Sequence, residues 1–382
     1  MNKYFLIIVL LLVGITKALS YPNFIGKGYH ACLTCHYNPF GNGPLNDYGR
    51  GVAASTLAGR LFIDESTTDE HLGESAGFLF NTPKNTWFRP ALDYRGLYLI
   101  GDVNDSNSEP RVIHMQMDLS TTLIFGEKKN LIISGTYGVV PSNSRRNTND
   151  DLWFSREHYI GYRPIESLGI YVGKMDKVFG IRHPDHTAYA RVNNGIAQFD
   201  ATHGVMVHVG RQKFDLGIQR FIGDKEKPED EQTEGYTGKF EYSITDNIRL
   251  GISYLSEALQ NKERTANSLL AKMGIGKGSS IMFEYGNTTE IENETNQQST
   301  SQYIFMQNHI LINRGLYFMM TLEQNNPNIE QSTQNYKISP GIQYFPFQRL
   351  ELRAEVTNNK LYDSDTFQKD FWSFFGQMHL WF

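Results

Sequence analysis

Cysteine is almost absent from this 382-residue chain: the only two are Cys32 and Cys35. No other cysteine exists to complete a zinc site around them. Beyond residue 20 no stretch approaches eighteen apolar residues, which excludes further membrane-spanning helices. No Lys/Arg cluster occurs, and the formal net charge is −5, so the electrostatic footprint of a nucleic-acid-binding protein is missing. No blade-length repeat is visible, which argues against a propeller. No residue constellation asks for a catalytic role. The expectation is a carrier or channel and not a substrate-converting enzyme.

What is present begins with an export signal over residues 1–20. Lys3 supplies the positive start, Phe5 to Gly14 the apolar stretch, and Ala18-Leu19-Ser20 the small residues that cleavage needs. The apolar run is shorter than a spanning helix requires, so an uncleaved anchor is disfavoured. The mature chain would start near Tyr21.

From Trp87 onward the sequence has a period of two. Arg349, Glu351, Arg353 and Glu355 alternate with Leu350, Leu352, Ala354 and Val356. Lys213, Asp215, Gly217 and Gln219 alternate with Phe214, Leu216 and Ile218. His114, Gln116, Asp118 and Ser120 alternate with Ile113, Met115, Met117 and Leu119. A soluble sheet with one wet face reads this way too, but nothing in the chain could cover the apolar faces of so many strands. The 21 tyrosines, 24 phenylalanines and 34 glycines suit a large antiparallel sheet with aromatic girdles.

The fold class expected is therefore all-β: a transmembrane antiparallel barrel over 86–382. Sixteen segments are predicted, from 87–100 to 370–382. Long connections, about nine to twenty-five residues, should alternate with short ones such as Glu127-Lys128 and Asp246. An even count closes without an exposed edge. Arg349, Glu351, Arg353 and Glu355 would line the lumen of an aqueous channel.

The segment 21–85 carries the chemistry. Residues 32–36 read Cys-Leu-Thr-Cys-His, the attachment signature of a c-type haem. Two thiols three apart on one turn reach two vinyl groups, and the next histidine can ligate the iron. Cys32 and Cys35 would form the thioethers and His36 the axial ligand of a single covalent haem c, leaving no thiol for a disulfide. The competing readings are a zinc half-site, which lacks further ligands, and a redox dithiol, which lacks its βαβ fold.

The wider run Cys-x-x-Cys-His-x-Asn-Pro-x-Gly-x-Gly-x-x-Asn-x-Tyr-Gly spans Cys32 to Gly49. It resembles the haem segment of outer-membrane, porin-like monohaem cytochromes of Gram-negative bacteria. The resemblance is tight over this run and architectural elsewhere. It implies a membrane channel carrying one haem and names no substrate. The terminal His379-Leu380-Trp381-Phe382 resembles the recognition signal of bacterial outer-membrane barrels. In porins of sixteen strands the third external loop folds inward. By that resemblance 178–202 would bring Arg182, His183, Asp185, His186 and Arg191 to a constriction, the arginines facing Glu351 or Glu355. An ordinary surface loop is the competing reading.

Within the haem segment, Asn38, Pro39, Gly41, Gly43, Asn46 and Tyr48 are expected to shape the turn over the ring. Arg50 and Arg60 are candidates for the propionates. The sixth iron position is open to His30, His71, or the lumen-side candidates His114, His203 and His208, or stays vacant. Val52 to Ile63 suggests a short helix packing through Leu57, Leu61 and Phe62. Glu65 to Glu74 reads as a spacer. The segment is too short for a free-standing cytochrome, so it should lie in the periplasm leaning on the barrel, or plug it.

Three functions follow. The first is electron transfer at the outer membrane, with a soluble periplasmic cytochrome as partner. The second is a porin for ions or small solutes whose haem senses, gates or anchors. The third is a structural or adhesive barrel. Contact with outer-membrane lipid is common to all, and oligomers are compatible with each.

Overall fold

A computed structural model describes residues 20–21, 23–81, 87–139, 153–196, 200–276, 278–363 and 366–382. The signal over 1–20 lies outside them except for Ser20, which with Tyr21 pairs with Phe24–Ile25.

The period-two stretches form the staves of a closed barrel. In chain order they are β1 (Phe88–Ile100), β2 (Arg111–Phe125), β3 (Leu131–Val139), β4 (Trp153–Ile165), β5 (Leu168–Met175), β6 (Thr202–Gly210), β7 (Phe214–Ile222) and β8 (Glu234–Thr245). They continue as β9 (Ile248–Leu259), β10 (Lys262–Ile275), β11 (Ser279–Glu292), β12 (Gln298–Asn313), β13 (Leu316–Asn326), β14 (Gln334–Tyr344), β15 (Leu350–Asp363) and β16 (Thr366–Trp381). Every strand pairs antiparallel with its sequence neighbour. β16 returns to β1, with Phe374 opposite Ile100 and Trp381 opposite Asp93. This closure satisfies the ladder without an edge, the condition for crossing hydrocarbon with strands.

The wall is inverted relative to a soluble protein. Ile218, Ile252, Leu269 and Leu352 point outward and are exposed. Glu157, Gln219, Glu241, Arg249, Glu257 and Glu284 point inward and are buried. An outer surface of this kind is stable only against lipid. Glu351, Arg353 and Glu355 line the lumen as the alternation required, and Arg349, just before β15, is buried beside them.

Long and short connections alternate at first, then the contrast fades. The expected long connection between β9 and β10 is reduced to residues 260–261. Both strands run on because their polar ends keep pairing: Arg264 reaches Glu257 and Glu290 at 2.6 Å, and Lys262 reaches Glu290 at 3.0 Å. These are side-chain interactions that compensate for poor intrinsic strand propensity.

The helices belong to the N-terminal segment and one loop. α1 (Asp47–Val52) continues as a π-turn over Ala53–Leu57, and α2 spans Asp69–Glu74. The helix thus begins five residues before the expected Val52. Leu57 packs inward as expected, but Phe62 is 91% exposed. The expected spacer at Glu65–Glu74 contains α2, because Thr68 caps it by accepting from His71 N at 3.2 Å.

Candidate functional site

Cys32–Thr34 forms a single 3₁₀ turn. Cys35 N and His36 N both donate to Cys32 O, at 3.0 and 2.9 Å. The two thiols and the histidine therefore share one turn. Both cysteines are free. Burial pushes both thiols up, Cys35 to about 11. A reactive dithiol or a zinc pair needs the opposite shift, so the local electrostatics disfavour those readings. Burial lowers the His36 pKa, which keeps the ring in the neutral form that ligates metals. Its Nδ1 is buried with no hydrogen-bond partner. This donor set could hold a covalent haem c: two protonated thiols on one turn and a neutral imidazole with the backbone of Asn42 and Gly43 beside it.

The rest of the motif builds that turn. His36 bridges to Leu45, closing the intervening chain into a compact loop. Gly41, Asn42 and Gly43 follow one another at φ of 80°, 69° and 60°. Three left-handed residues in a row require glycine or asparagine at each place. Asn38 Oδ1 accepts from Phe40 N at 3.1 Å, while its Nδ2 donates to Glu157 of β4 at 3.4 Å. Asn46 Nδ2 donates to Thr34 O at 3.1 Å, with Leu33 O and His36 O at 3.4 and 3.5 Å. Asn46 Oδ1 accepts from Gly49 N at 2.8 Å and caps α1. A Cβ on Gly49 would collide with the backbone of Cys35. Tyr48 shares a hydroxyl hydrogen bond of 2.8 Å with Tyr29.

The segment packs against the inner face of the barrel. Four barrel arginines reach into it. Arg163 donates to Tyr37 O at 3.0 Å, and Arg89 holds Asp47 at 2.6 and 2.8 Å. Arg314 donates to Ser55 O at 2.5 Å and Ala58 O at 2.8 Å, and Arg349 to Gly77 O at 2.5 Å. Phe40 packs on Tyr159, Tyr171, Met175, Val178 and Met206 of the inner wall and its loop. Arg50 is buried and donates to Pro90 O at 2.7 Å, while Arg60 takes Thr67 O and Asp69. Both arginines expected at propionates thus serve protein acceptors here.

The structure separates the candidate sixth ligands. His30 Nε2 lies 2.8 Å from Asp246 O, in the β8–β9 turn, and its Nδ1 is buried without a partner. His71 is exposed on α2. His208 faces the lumen, 3.0 Å from Asp215 and edge-on to Phe40. His114 and His203 do not face the lumen. A bulge opposite Arg95/Gly96 inverts the phase of β2, so His114 is exposed on the outer face beside Tyr94, at 2.7 Å. His203 shares the outward parity of Val205 and Val207 and meets His158 at 3.2 Å.

The described residues of loop 176–201, namely 176–196 and 200–201, lie inside the barrel. Lys177 binds Glu257 at 2.5 Å and Asp200 at 3.1 Å. Gly180 N donates to Ser253 Oγ at 3.0 Å, Ile181 N to Glu284 at 2.6 Å and Tyr189 N to Glu323 at 2.6 Å. Asn193 reaches Asn325 at 2.7 Å. Acceptors on three separate strands, β9, β11 and β13, thus hold the loop across the inner wall. A short helix, α3 (Tyr189–Val192), sits at its far end.

The arginines of this loop are not free charges facing a channel. Arg191 donates to Ile196 O at 2.8 Å and His183 O at 2.9 Å, and Arg182 pairs with Asp176. Across the lumen Glu355 pairs with Arg353, and Glu351 takes His379 at 3.2 Å. His183 stacks on Phe305 at 4.4 Å, and burial pushes its pKa down to about 3. His186 is half-buried and its pKa is also lowered by burial. Burial raises the Asp185 carboxyl, but Lys337 and His183 outweigh it and hold it well below the usual range. Replacing Arg191 with methionine should therefore loosen the loop more than it alters ion selectivity. Each lost charge-assisted bond is worth about 1.5–3 kcal/mol. Reversal potentials in a salt gradient should stay near wild type while channel noise rises. A large shift toward cations with quiet traces would restore Arg191 as a pore charge.

No family model and no curated protein sequence matches the chain. Solved structures do match in fold. OmpT of Vibrio cholerae superposes with a TM-score of 0.62 at 10% identity, covering 78% of this chain and 99% of that one. Salmonella typhi OmpF, in complex with daunomycin, gives 0.60 at 11% identity, covering 77% and 97%. An anion-selective porin from Comamonas acidovorans gives 0.56 at 10% identity, covering 78% and 99%. The fold is that of a porin-like barrel.

Proposed function

We propose that this chain is an outer-membrane channel for ions or small solutes whose lumen holds a c-type haem segment. The observation that carries the reading is the position of the Cys32–His36 turn. It is folded by its own motif and fastened inside the barrel, where Asn42 also reaches Asp176 of the inward loop at 2.5 Å. Cys32 and Cys35 would hold the haem and His36 would ligate its iron. His30 precedes that turn by two residues in the chain, and His208 meets Phe40 of the same segment edge-on. Bound there, haem c would supply a one-electron iron couple. The protein's own part is to keep the ring away from bulk water and to fix the plug. The outer-membrane location is supported by the barrel fold; the short-turn end, where the N-terminal segment docks, would then face the periplasm.

In a host competent for c-type maturation, wild-type protein should give a peroxidase-stained band on a denaturing gel, and the double variant Cys32→Ala, Cys35→Ala should give none. Planar-bilayer conductance measured with the haem oxidised and then reduced reads the coupling. A change in conductance supports a gating or sensing haem. Equal conductance in both states would leave the haem a structural or electron-carrying part. Electron transfer to a soluble cytochrome is the second reading. It is favoured by His30, which touches the β8–β9 turn at the end where such a partner would dock. Reduction of liposome-embedded protein by an added soluble cytochrome tests it.

A further inference from the structure

Beside the haem turn, the barrel wall carries a buried cluster in which positive charge is in excess. β8, β9 and β10 send Lys239, Glu241, Arg249 and Lys272 inward, and β7 adds Asp215. All five are more than nine-tenths buried. Lys239 Nζ and Lys272 Nζ lie 2.8 and 2.7 Å from Glu241 Oε1, and Arg249 Nε lies 2.9 Å from Glu241 Oε2. Asp215 is 3.9 Å from Arg249 and is closer to His208, at 3.0 Å. Three cations thus converge on one carboxylate and share part of a second. Desolvated charge of one sign is costly without an anion to balance it. The Nη2 of Arg249 is buried with no acceptor closer than Asp215 at 3.9 Å, a further cost that an acceptor would remove.

The haem turn sits against this cluster from two sides. His30 contacts Asp246 O, in the turn that joins β8 to β9. Lys239 Nζ lies 5.8 Å from the centre of the Phe40 ring. Cys32 Sγ packs under the next residue, 3.6 Å from an ideal Cβ on Gly41. The first thiol therefore lies beside Gly41, next to Phe40, and the charged groups around it are Lys272, Lys239, Glu241 and Asp215 of the cluster.

We infer that Lys239, Arg249 and Lys272 form a dicarboxylate site that pairs the two haem propionates and fixes the orientation of the ring. This rests on the haem reading above. It also moves the propionate role from Arg50 and Arg60, which are engaged elsewhere, to the barrel wall. Bidentate and charge-assisted pairing of this kind suits arginine in particular.

The test uses full-length protein matured in a c-type-competent host. Peroxidase staining of wild type comes first, and its absence would remove the parent reading and this inference with it. With haem attached, Arg249→Gln and Lys272→Gln should each keep the covalent stain and shift the midpoint potential negative, because a cation that favours the reduced haem is gone. Glu241→Gln should shift it positive, and Arg249→Lys should restore a value near wild type. Opposite signs from neighbouring positions are not expected of general damage. Resonance Raman bands of the propionate bending modes should move in the two cation variants. Should Arg249→Gln fail to give a heat-modifiable band, Lys272→Gln carries the same test. Covalent haem with unaltered potential and unaltered propionate bands in the cation variants would overturn the assignment.

Discussion

A protein lacking residues 23–81 is expected to conduct several times more current per channel than the full-length protein. The ladder of the barrel closes through β16 and β1, and no strand of it passes through the deleted segment. Closure should survive the deletion. What is lost is material that fills the short-turn half of the lumen. Gly59 N donates to Phe345 O at 2.7 Å and Leu61 N to Pro346 O at 2.9 Å, so the plug is bonded to the rim as well as to the wall. Arg89, Arg314 and Arg349 would lose their plug acceptors but would then face water, where a lone guanidinium costs little. Loop 176–201 would remain, because it is held by barrel side chains such as Ser253, Glu284 and Glu323. Single-channel recordings of both proteins in the same salt decide the matter. Equal conductance would mean that the inward loop alone sets the resistance and that ions already pass the plug freely.

The barrel was legible because its code is local. One face in lipid and one in water forces alternation residue by residue, and each strand repeats the signal. Phe88–Ile100 came out within a residue of the expected 87–100. The signal fails where the alternation itself breaks. One extra residue at Met115 turns His114 from the lumen to the outer face, and nothing in Ile113-His114-Met115 announces the bulge. His203 was misplaced for a related reason: its strand begins at Thr202, just past the inward loop, so few residues establish the phase.

The Cys32–Gly49 run was legible as a pattern and opaque as a structure. Spacing singled out Cys32, Cys35 and His36 as candidates, but the partners of the Asn46 amide nitrogen are backbone carbonyls, which no sequence displays. The arginines show the same limit more sharply. Arg191 looked like a pore charge, yet it is spent on the carbonyls of Ile196 and His183 within its own loop. Arg50 looked like a propionate partner, yet it ties the plug to Pro90 of β1. A long cation can satisfy any acceptor within reach, so its role is fixed by the tertiary structure and not by its neighbours in sequence. The cation cluster of Lys239, Arg249 and Lys272 was missed because its members come from three strands.

Asn46→Ala should loosen the Cys32–His36 turn while leaving the barrel intact. The side chain does two jobs. Its oxygen caps α1 through Gly49 N, and its nitrogen serves the carbonyls of Thr34, Leu33 and His36. Losing the cap costs about 1 kcal/mol. Of the three carbonyl contacts only the one to Thr34 is short, and losing it costs about another 1 kcal/mol. The combined effect on the local fold is therefore roughly 2 kcal/mol. That corresponds to a local opening on the order of thirtyfold more frequent. Hydrogen exchange of the Cys32–Gly49 backbone should accelerate by about that factor, whereas exchange across β8 to β12 should be unchanged. Asn46→Asp separates the two jobs, since the carboxylate can still accept from Gly49 N but has no N–H to offer the carbonyls. It should retain the start of α1 and still free the turn. If Asn46→Asp matched wild type throughout, the carbonyl contacts would carry no weight and capping alone would explain asparagine at this position.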